Sequence, residues 1–313
     1  MTLDGSKEMR RRRPVGELLA ALQAQGVAAE SLQGNGCPPV RVPSAQPTGG
    51  TIPIDCSRSS QFLSGLLMLA PFAAADTRLV PSKKFSSRPF VDLTLDSLRK
   101  FGVQADAQGE GLAVSAGQRF HATRLPIGGD FAGMASFLAA PALVGGKVRV
   151  EGLSRQSLQP DRFLLQVLSE MGAQVRQDEN AVRVEGNGSL QAISMDFNAA
   201  PDLVPTVAVL AAFANGKSRL TGIAHLKFKE SNRLNAVVRE LKRMGISARK
   251  SHDFIEVEGG TPKPAAIQTY HDHRIAMAFA LAGLKVKGIR ILDAGCVEKS
   301  FPSFFEELGR LTA

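Results

Sequence analysis

The chain has 313 residues, enough for two domains of ordinary size, and 44% of them are hydrophobic, so each domain can bury a core. Its formal net charge of +9 favours anionic partners, which are nucleic acids, membrane surfaces or small anionic substrates. A sequence with no tryptophan and one tyrosine argues against a protein that binds single-stranded nucleic acid by stacking bases on aromatic rings.

The cysteines and the N-terminal residues indicate in which cellular compartment the protein is located. Cys37, Cys56 and Cys296 show no CxxC spacing, which argues against a zinc site or a disulfide framework and favours reduced thiols. The start, MTLDGSKEMRRRRP, lacks the apolar core of a secretory signal, and no uninterrupted apolar run reaches membrane-spanning length. A run such as Arg10 to Arg13 usually faces solvent. We therefore expect a cytoplasmic protein that binds neither nucleic acid nor membrane.

Four segments share one form, an amphipathic helix that stops at a glycine and re-enters as a strand. They are LLAALQAQGVAA (18–29), LDSLRKFGVQA (95–105), LLQVLSEMGAQV (164–175) and VVRELKRMGISA (237–248). Their glycines, Gly26, Gly102, Gly172 and Gly245, recur at spacings of 70 to 76 residues. Glycine suits the left-handed position that closes a helix. We therefore predict that a helix ends near each glycine.

A second helix type, apolar nearly all round, alternates with the first and predicts burial on every side. Its members are QFLSGLLMLAPFAA (61–74), FLAAPALVGG (137–146), VPTVAVLAAFANG (204–216) and RIAMAFALAG (274–283). Short alternating stretches such as LAVSAG (112–117) and KVRVEG (147–152) read as strands. The order predicts an α/β protein with about four copies of a βαβαββ unit. The alternative is that an α/β protein repeats helix–glycine–strand by chance, and the recurrence of both the spacing and the order of helix types favours the repeat.

Two polar clusters stand directly before apolar helices. In SRSSQFLSGLLMLAP (57–71), Ser59 and Ser60 can cap the helix, or they can hold a phosphate together with free backbone N–H groups. In NAAPDLVPT (198–206), Asp202 can cap the next helix or act as a base at the mouth of a cleft. The residues alone leave both choices open.

Two further clusters are rich in charge. LKFKESNRL (226–234) can be a solvated charge run or a site in which arginine grips a carboxylate or phosphate. TYHDHRIAMAFALAG (269–283) places two histidines around Asp272, but no further ligand follows at a usable spacing, so we expect no metal. Such a polar group is costly to bury without a purpose. Together the clusters set several cations beside the carboxylates of Asp202 and Glu230, which suits polyanionic substrates and proton transfer.

From about Leu3 to its end the chain resembles the EPSP synthase family. The resemblance is carried by RRRPVGELLAAL, CPPVRV, TGGTIPID, SSQFLSGLLMLAP, SRPFVDLTL, GGDFAGMASFLAA, PDLVPTVAVLAAFA, KESNRL, MGISA, DHRIAMAFALA and GCVEKSFPSFFEEL, which occur in the family's order. It implies transfer of enolpyruvyl from phosphoenolpyruvate to the 5-hydroxyl of shikimate 3-phosphate, in aromatic amino acid biosynthesis, with no metal or organic cofactor. A sister transferase acting on UDP-N-acetylglucosamine shares the fold, but SSQF with DHRIAM fits the shikimate branch better.

The resemblance also implies a two-domain enolpyruvyl transferase-like fold of βαβαββ units, an inside-out α/β barrel. We expect residues 1–125 to form the shikimate 3-phosphate side and 126–313 the phosphoenolpyruvate side. Roughly the first quarter of a family member has no counterpart here, so we expect an incomplete first domain. Activity of the chain alone is then in doubt, and a separate N-terminal fragment becomes a candidate partner. The alternatives are one piece of a split enzyme or a non-catalytic paralogue that binds shikimate 3-phosphate.

Matching motifs imply roles for individual residues. Asp202 matches the base at the 5-hydroxyl, Glu230 matches an acid near the enolpyruvyl methylene carbon, and Lys299 is the third expected catalytic group. The expected substrate-binding residues are Ser59, Ser60, Gln61 and Ser87 for shikimate 3-phosphate, Lys229 for its ring, and Arg13, Arg233 and Arg274, with Lys299, for phosphoenolpyruvate. Asn232 departs from the family, which usually has an acid there, and this removes a possible partner for Arg233 or a neighbouring cation.

Overall fold

The computed structural model describes residues 1–81 and 85–311. These residues form two compact units. Unit 1 comprises residues 1–126 together with the short segment 228–230, and unit 2 comprises residues 127–227 and the chain from residue 231 onward. Among the described residues, no helix combines the length and the apolar character that crossing a membrane requires.

Unit 1 contains two β-sheets and four α-helices among its described residues. Its strands are β1 (Thr2–Leu3), β2 (Glu30–Ser31), β3 (Val40–Arg41), β4 (Gly50–Ile54), β5 (Thr77–Pro81), β6 (Asp106–Gln108) and β7 (Gly111–Val114), and its helices are α1 (Lys7–Arg12), α2 (Gly16–Gln23), α3 (Gln61–Leu69) and α4 (Pro89–Lys100). A small antiparallel sheet has the order β1-β3-β2, and a four-stranded sheet has the order β4-β5-β7-β6. Leu63, Leu67 and Val91 lie in the core between the helices and this larger sheet.

Unit 2 follows the same plan at larger size. Its strands are β8 (Gly146–Glu151), β9 (Gln174–Gln177), β10 (Ala181–Gly186), β11 (Leu190–Gln191), β12 (Ser194–Asp196), β13 (Ala214–Asn215), β14 (Lys217–Thr221), β15 (Ala248–Lys250), β16 (Phe254–Glu258), β17 (Ala266–Gln268) and β18 (Arg290–Leu292). Its helices are α5 (Ala135–Val144), α6 (Leu164–Glu170), α7 (Val204–Ala211), α8 (Arg233–Arg243), α9 (His273–Gly283) and α10 (Phe304–Arg310). Its sheets have the orders β8-β10-β9 and β12-β14-β16-β15, with parallel pairs β11-β13 and β17-β18.

The predicted βαβαββ unit occurs in full in two segments of the described chain, against an expectation of about four copies. One runs β4–α3–β5–α4–β6–β7 and the other β12–α7–β14–α8–β15–β16, with the short strand β13 between α7 and β14. In each sheet the first two strands of the repeat pair in parallel, and the later strands join them antiparallel. A parallel pair needs a crossover connection, which α3 and α7 supply.

The predicted helix stops are also confirmed. Helices α2, α4, α6 and α8 end two or three residues before their glycines. The four glycines have positive φ angles of 75°, 86°, 101° and 76° for Gly26, Gly102, Gly172 and Gly245. A residue with a Cβ atom is disfavoured in that region, so the glycines let the chain reverse from helix to strand.

Burial of the apolar helices is confirmed in unit 2 but not fully in unit 1. Every residue of α7 is buried, as are nine consecutive residues of α5, and these helices pack with α9 at the centre of the unit. The prediction is wrong for α3, because only Leu63, Leu66 and Leu67 are buried and Met68 is 51% exposed. Helices α2 and α4 cover α3 within unit 1, and its outer face keeps its apolar side chains without cover from the described part of that unit.

Candidate active site

Asp202 is the centre of a cation cluster in unit 2. Its Oδ1 lies 2.7 Å from Arg233 Nη1, and its Oδ2 lies 3.3 Å from Arg274 Nη2. Asp202 belongs to the 3₁₀ helix Pro201–Leu203, which leads directly into α7, and the N-cap position of α7 is occupied by Leu203. Two guanidinium groups thus converge on one carboxylate, which remains 20% exposed.

A second carboxylate, Asp272, bonds to the side chain of Arg233 and to the backbone of Arg274. Asp272, which is fully buried, accepts from Arg233 Nε at 2.8 Å and from Nη2 at 3.1 Å. Its Oδ1 also accepts from the backbone N–H of Arg274 at 3.0 Å and so caps α9. Arg233 is 1% exposed, and a buried guanidinium is stable only when its charge and donors are paired. Asp272 therefore fixes the guanidinium group of Arg233 and, through a backbone bond, the start of α9 where Arg274 lies.

The departure at Asn232 has a local explanation. Its side chain accepts from the backbone N–H of Asn235 at 3.1 Å and caps α8, which begins at Arg233. Arg233 obtains its charge partners from Asp202 and Asp272 instead, 31 and 39 residues away along the chain. Arg233 therefore has two carboxylate partners without an acid at position 232.

Sequence reasoning missed Asp161, a buried carboxyl group beside this cluster. Burial, followed by repulsion from Asp202, raises the pKa of Asp161 to about 7, Arg274 acts in the opposite direction, and Asp130 adds to the rise. Asp161 is 4% exposed, and its Oδ1 has no hydrogen-bond partner. A usable signal was present, because Pro160–Asp161 opens a 3₁₀ helix before α6 just as Pro201–Asp202 does before α7.

The expected phosphate-binding residues lie together in unit 1. Ser60 occupies the N-cap position of α3, is 2% exposed and makes no capping bond with its side chain. Ser59 Oγ accepts from the backbone N–H of Gln61 at 3.2 Å. Ser86 joins this loop to the next one, because its backbone N–H donates to Cys56 O at 3.2 Å and its Oγ donates to Ser57 O at 2.9 Å. Neighbouring Ser87 is thereby brought to the same end of α3.

Segment 228–230 belongs to unit 1 and contains two further expected site residues, Lys229 and Glu230. The Glu230 carboxylate lies 2.6 Å from Arg13 Nη2, and its side chain is 19% exposed. The Phe228 ring lies 4.9 Å from the guanidinium carbon of Arg58, which neighbours Ser59. Lys229 is half-buried. In unit 1, Glu230 therefore pairs with Arg13, and Phe228 links the same segment to Arg58 beside the serines.

Lys299 ends the 3₁₀ helix Ala294–Lys299 of unit 2, where it is exposed. Within residues 1–81 and 85–311, no three His, Cys, Asp or Glu side chains are arranged to hold a metal ion. His271 Nδ1 lies 2.6 Å from Asp293 Oδ2, so this histidine of the TYHDHR segment has a carboxylate neighbour.

Known proteins show the same pattern along nearly the whole chain. The family model described as EPSP synthase (3-phosphoshikimate 1-carboxyvinyltransferase) matches residues 1–308. A 3-phosphoshikimate 1-carboxyvinyltransferase of Syntrophobacter fumaroxidans is 40% identical over 313 residues, covering 99% of this chain and 74% of that protein. The one from Nostoc punctiforme is 39% identical, covering 97% of this chain and 71% of that protein.

A solved structure agrees with these sequence relatives. EPSP synthase from Acinetobacter baumannii superposes with a TM-score of 0.78 at 27% identity, covering 99% of this chain and 73% of that chain. The expected enolpyruvyl transferase-like fold is therefore confirmed. Family members catalyse enolpyruvyl transfer from phosphoenolpyruvate to shikimate 3-phosphate, and this is the reaction of the chain. The chain belongs to the EPSP synthase family, 3-phosphoshikimate 1-carboxyvinyltransferase.

Proposed function

We propose that Asp202, held between Arg233 and Arg274, is the centre at which this chain carries out enolpyruvyl transfer. The observation that carries the proposal is the convergence of two guanidinium groups on one partly exposed carboxylate, at 2.7 and 3.3 Å. Fixed cations of this kind stabilise charge that develops on a phosphate or carboxylate, and the planar arginine fork matches both groups.

The arginines bind phosphoenolpyruvate in this proposal. Arg233 is held from behind by Asp272, so its orientation is set before a substrate arrives. Arg274 reaches Asp202 with one nitrogen and the backbone carbonyl of Ala132 with the other, at 3.4 Å. Lys299 supplies a further cation of unit 2 for the same anion. A site preorganised in this way loses little free energy to reorganisation during the reaction.

Asp202 and Glu230 move the protons. The 5-hydroxyl of shikimate 3-phosphate adds to C2 of phosphoenolpyruvate while Asp202 accepts the hydroxyl proton, and Glu230 delivers a proton to the methylene carbon C3. The resulting tetrahedral adduct loses inorganic phosphate and one proton from C3, which restores the enol ether. Arg13, 2.6 Å from Glu230, orients that carboxyl group and supplies a cation beside it. Positioned acids and bases of this kind typically contribute about 10²–10⁴ in rate.

The serine loop of unit 1 binds shikimate 3-phosphate. Ser59, Ser60, Gln61 and Ser87 offer hydroxyl, amide and backbone donors at one end of α3, and Lys229 contacts the ring. A phosphate at a helix N-terminus benefits from free N–H groups and from the helix dipole. In this assignment residues 1–125 serve shikimate 3-phosphate and residues 126–313 serve phosphoenolpyruvate.

Two further proposals concern the setting of the enzyme. The chain spans 71–74% of the length of the relatives compared above, so we propose that a segment matching the remainder of those proteins contributes to full turnover. A cytoplasmic location suits the three cysteines, which are all free, with Cys37 and Cys56 buried.

A phosphate-release assay tests these roles. The chain is mixed with both substrates, alone and with the amino-terminal segment of a relative, and each mixture is repeated with Asp202→Asn and Glu230→Gln. We expect turnover to rise when the segment is added and to fall at least about 10²-fold in either variant. Turnover that is unchanged in both variants would show that other residues move the protons. Shikimate 3-phosphate binding without turnover in any mixture would favour the non-catalytic paralogue.

A further inference from the structure

The turn that leads into α9 has an unfavourable backbone. Tyr270 and His271 have φ angles of 56° and 55°, although neither is glycine. The left-handed region crowds the Cβ atom of an L-residue, and two such residues in succession persist only where the surrounding contacts hold them. The residue that follows this turn is Asp272, the carboxylate that holds Arg233 and Arg274.

The contacts that hold the turn come from two carboxylates. Tyr270 OH donates to Glu240 Oε1 at 2.6 Å, and the backbone N–H of Gln268 donates to Glu240 Oε2 at 3.0 Å. On the other side, Asp293 Oδ2 lies 2.6 Å from His271 Nδ1 and accepts from Thr269 Oγ1 at 3.3 Å. Residues 268–271 are therefore fixed by contacts with the carboxylates of Glu240 and Asp293.

Glu240 and Arg233 belong to one helix. They are seven residues apart on α8, which places them two turns apart on the same face. Arg233 binds Asp272, and Glu240 binds Gln268 and Tyr270. Two side chains of α8 therefore contact segment 268–272, one at each end of it. Glu240 is fully buried, and a buried carboxylate is costly unless its oxygens are bonded as they are here.

We propose that Glu240 and Tyr270 form a positioning pair that fixes Asp272, and through it Arg233 and Arg274, for phosphoenolpyruvate. The proposal rests on the function proposed above, which assigns the two arginines to that substrate. Loss of the Tyr270 hydroxyl leaves the ring in place but releases one side of the strained turn. The arginines then leave their set orientation, which weakens the hold on phosphoenolpyruvate. The contacts assigned to the phosphate and ring of shikimate 3-phosphate, from the serine loop and Lys229, belong to unit 1, so binding of this substrate is affected less.

The test is a pair of Michaelis constants for Tyr270→Phe, measured by phosphate release in the mixture that gives the highest wild-type turnover. We expect KM for phosphoenolpyruvate to rise about tenfold, the factor that corresponds to the loss of one charge-assisted hydrogen bond. We expect KM for shikimate 3-phosphate to stay within about twofold, because the contacts assigned to its phosphate and ring belong to unit 1. We expect kcat to fall, because the displaced arginines flank Asp202 and stabilise charge that develops in the reaction.

Variants of Glu240 separate positioning from general stability. Glu240→Ala should raise KM for phosphoenolpyruvate at least as much as Tyr270→Phe. Glu240→Gln can still bond to both Gln268 and Tyr270, so its KM for phosphoenolpyruvate should lie close to the wild-type value. Glu256→Gln removes another buried carboxylate, 8% exposed on β16, and serves as the matched control with an unchanged KM.

An absorbance titration checks the contact without any turnover. The chain has one tyrosine and no tryptophan, so the phenolate band in the near ultraviolet reports Tyr270 alone, and Tyr270→Phe is the blank. Burial first, and then the hydrogen bond and negative charge of Glu240, raise the pKa of Tyr270 above its ordinary 10, with Arg239 acting in the opposite direction. Glu240→Gln should lower this pKa.

Each outcome decides the proposal. Unchanged KM for phosphoenolpyruvate in Tyr270→Phe and Glu240→Ala overturns the positioning pair and leaves the proposed function standing. Equal rises in both Michaelis constants with a lower unfolding temperature assign the pair a purely structural role, which also overturns it. A wild-type chain that neither binds phosphoenolpyruvate nor turns over overturns the proposed function together with the positioning proposal. A rise in KM for phosphoenolpyruvate alone, seen in Tyr270→Phe and Glu240→Ala but not in Glu240→Gln, supports the positioning pair.

Discussion

Arg233 binds both carboxylate oxygens of Asp272, with Nε 2.8 Å from Oδ2 and Nη2 3.1 Å from Oδ1. The remaining nitrogen, Nη1, faces Asp202 at 2.7 Å. A single guanidinium group therefore links a fully buried carboxylate to a partly exposed one. This geometry makes the chemistry of the site sensitive to the shape of the cation as well as to its charge.

Replacing Arg233 by Lys keeps the charge and removes the fork. We expect turnover to fall about 10²-fold or more, because a single ammonium nitrogen cannot reproduce the geometry of three separate guanidinium nitrogens that reach Asp272 and Asp202. Phosphate release measures the effect. Arg183→Lys, in an exposed pair with Glu185, is the control and should change little, since such pairs contribute little. Equal turnover in wild type and Arg233→Lys would show that charge alone suffices.

Replacing Ser60 by Ala removes one proposed phosphate donor. We expect affinity for shikimate 3-phosphate to fall about tenfold, since a hydrogen bond to a charged group contributes about 1.5–3 kcal/mol. Calorimetric titration of the chain measures this. Ser97→Ala is the matched control, because Ser97 Oγ bonds to the Leu93 carbonyl on an exposed part of α4. Unchanged affinity in Ser60→Ala would remove Ser60 from the phosphate site.

Asp161 should make stability depend on pH. Its pKa is about 7 in the folded chain against a reference value of 3.8, so the folded state holds a proton that the unfolded state releases between these values. Stability from this group is full below about pH 4 and is lost as the pH rises through 7, by up to about 4 kcal/mol.

The matching measurement uses Asp161→Asn, which keeps the shape and removes the titration. Denaturant unfolding at about pH 5 and about pH 8 should show that the variant gains stability over wild type as the pH rises. Asp178→Asn, at an exposed carboxylate of the same unit, controls for the change in total charge. A wild-type to Asp161→Asn difference that is the same at both values would contradict a raised pKa for Asp161.

Two glycines should respond in opposite ways to alanine. At Gly172, φ is 101° and the nearest atom to an added Cβ is 3.9 Å away, so the penalty is one of backbone conformation, about 1–2 kcal/mol. At Gly65, inside α3, nothing lies within 4 Å, so Ala should stabilise the chain by about 0.5–1 kcal/mol. Urea unfolding measures both. A stabilising Gly172→Ala would contradict the helix-stop role of that glycine.

The sequence by itself determined the repeat and its helix types. Amphipathic and fully apolar periodicities, with a glycine at each stop, are local patterns, so they can be recognised from neighbouring residues alone. The same patterns place polar residues such as Ser60, Asp202 and Arg274 next to buried helices, where a site can form. The structure confirms two of these predictions, since every residue of α7 is buried and Gly245 has a positive φ angle.

Only the tertiary structure decided which charges meet. Arg233 bonds to Asp202 and Asp272, which are 31 and 39 residues away along the chain. Tyr270 bonds to Glu240, 30 residues away, and Asp161 lies beside Asp202. The exposed Met68 on α3 was likewise decided by which elements cover that helix. Partners distant in sequence leave no periodic signal, because their approach depends on how helices and sheets pack, and that packing sets the distances on which charge pairing depends.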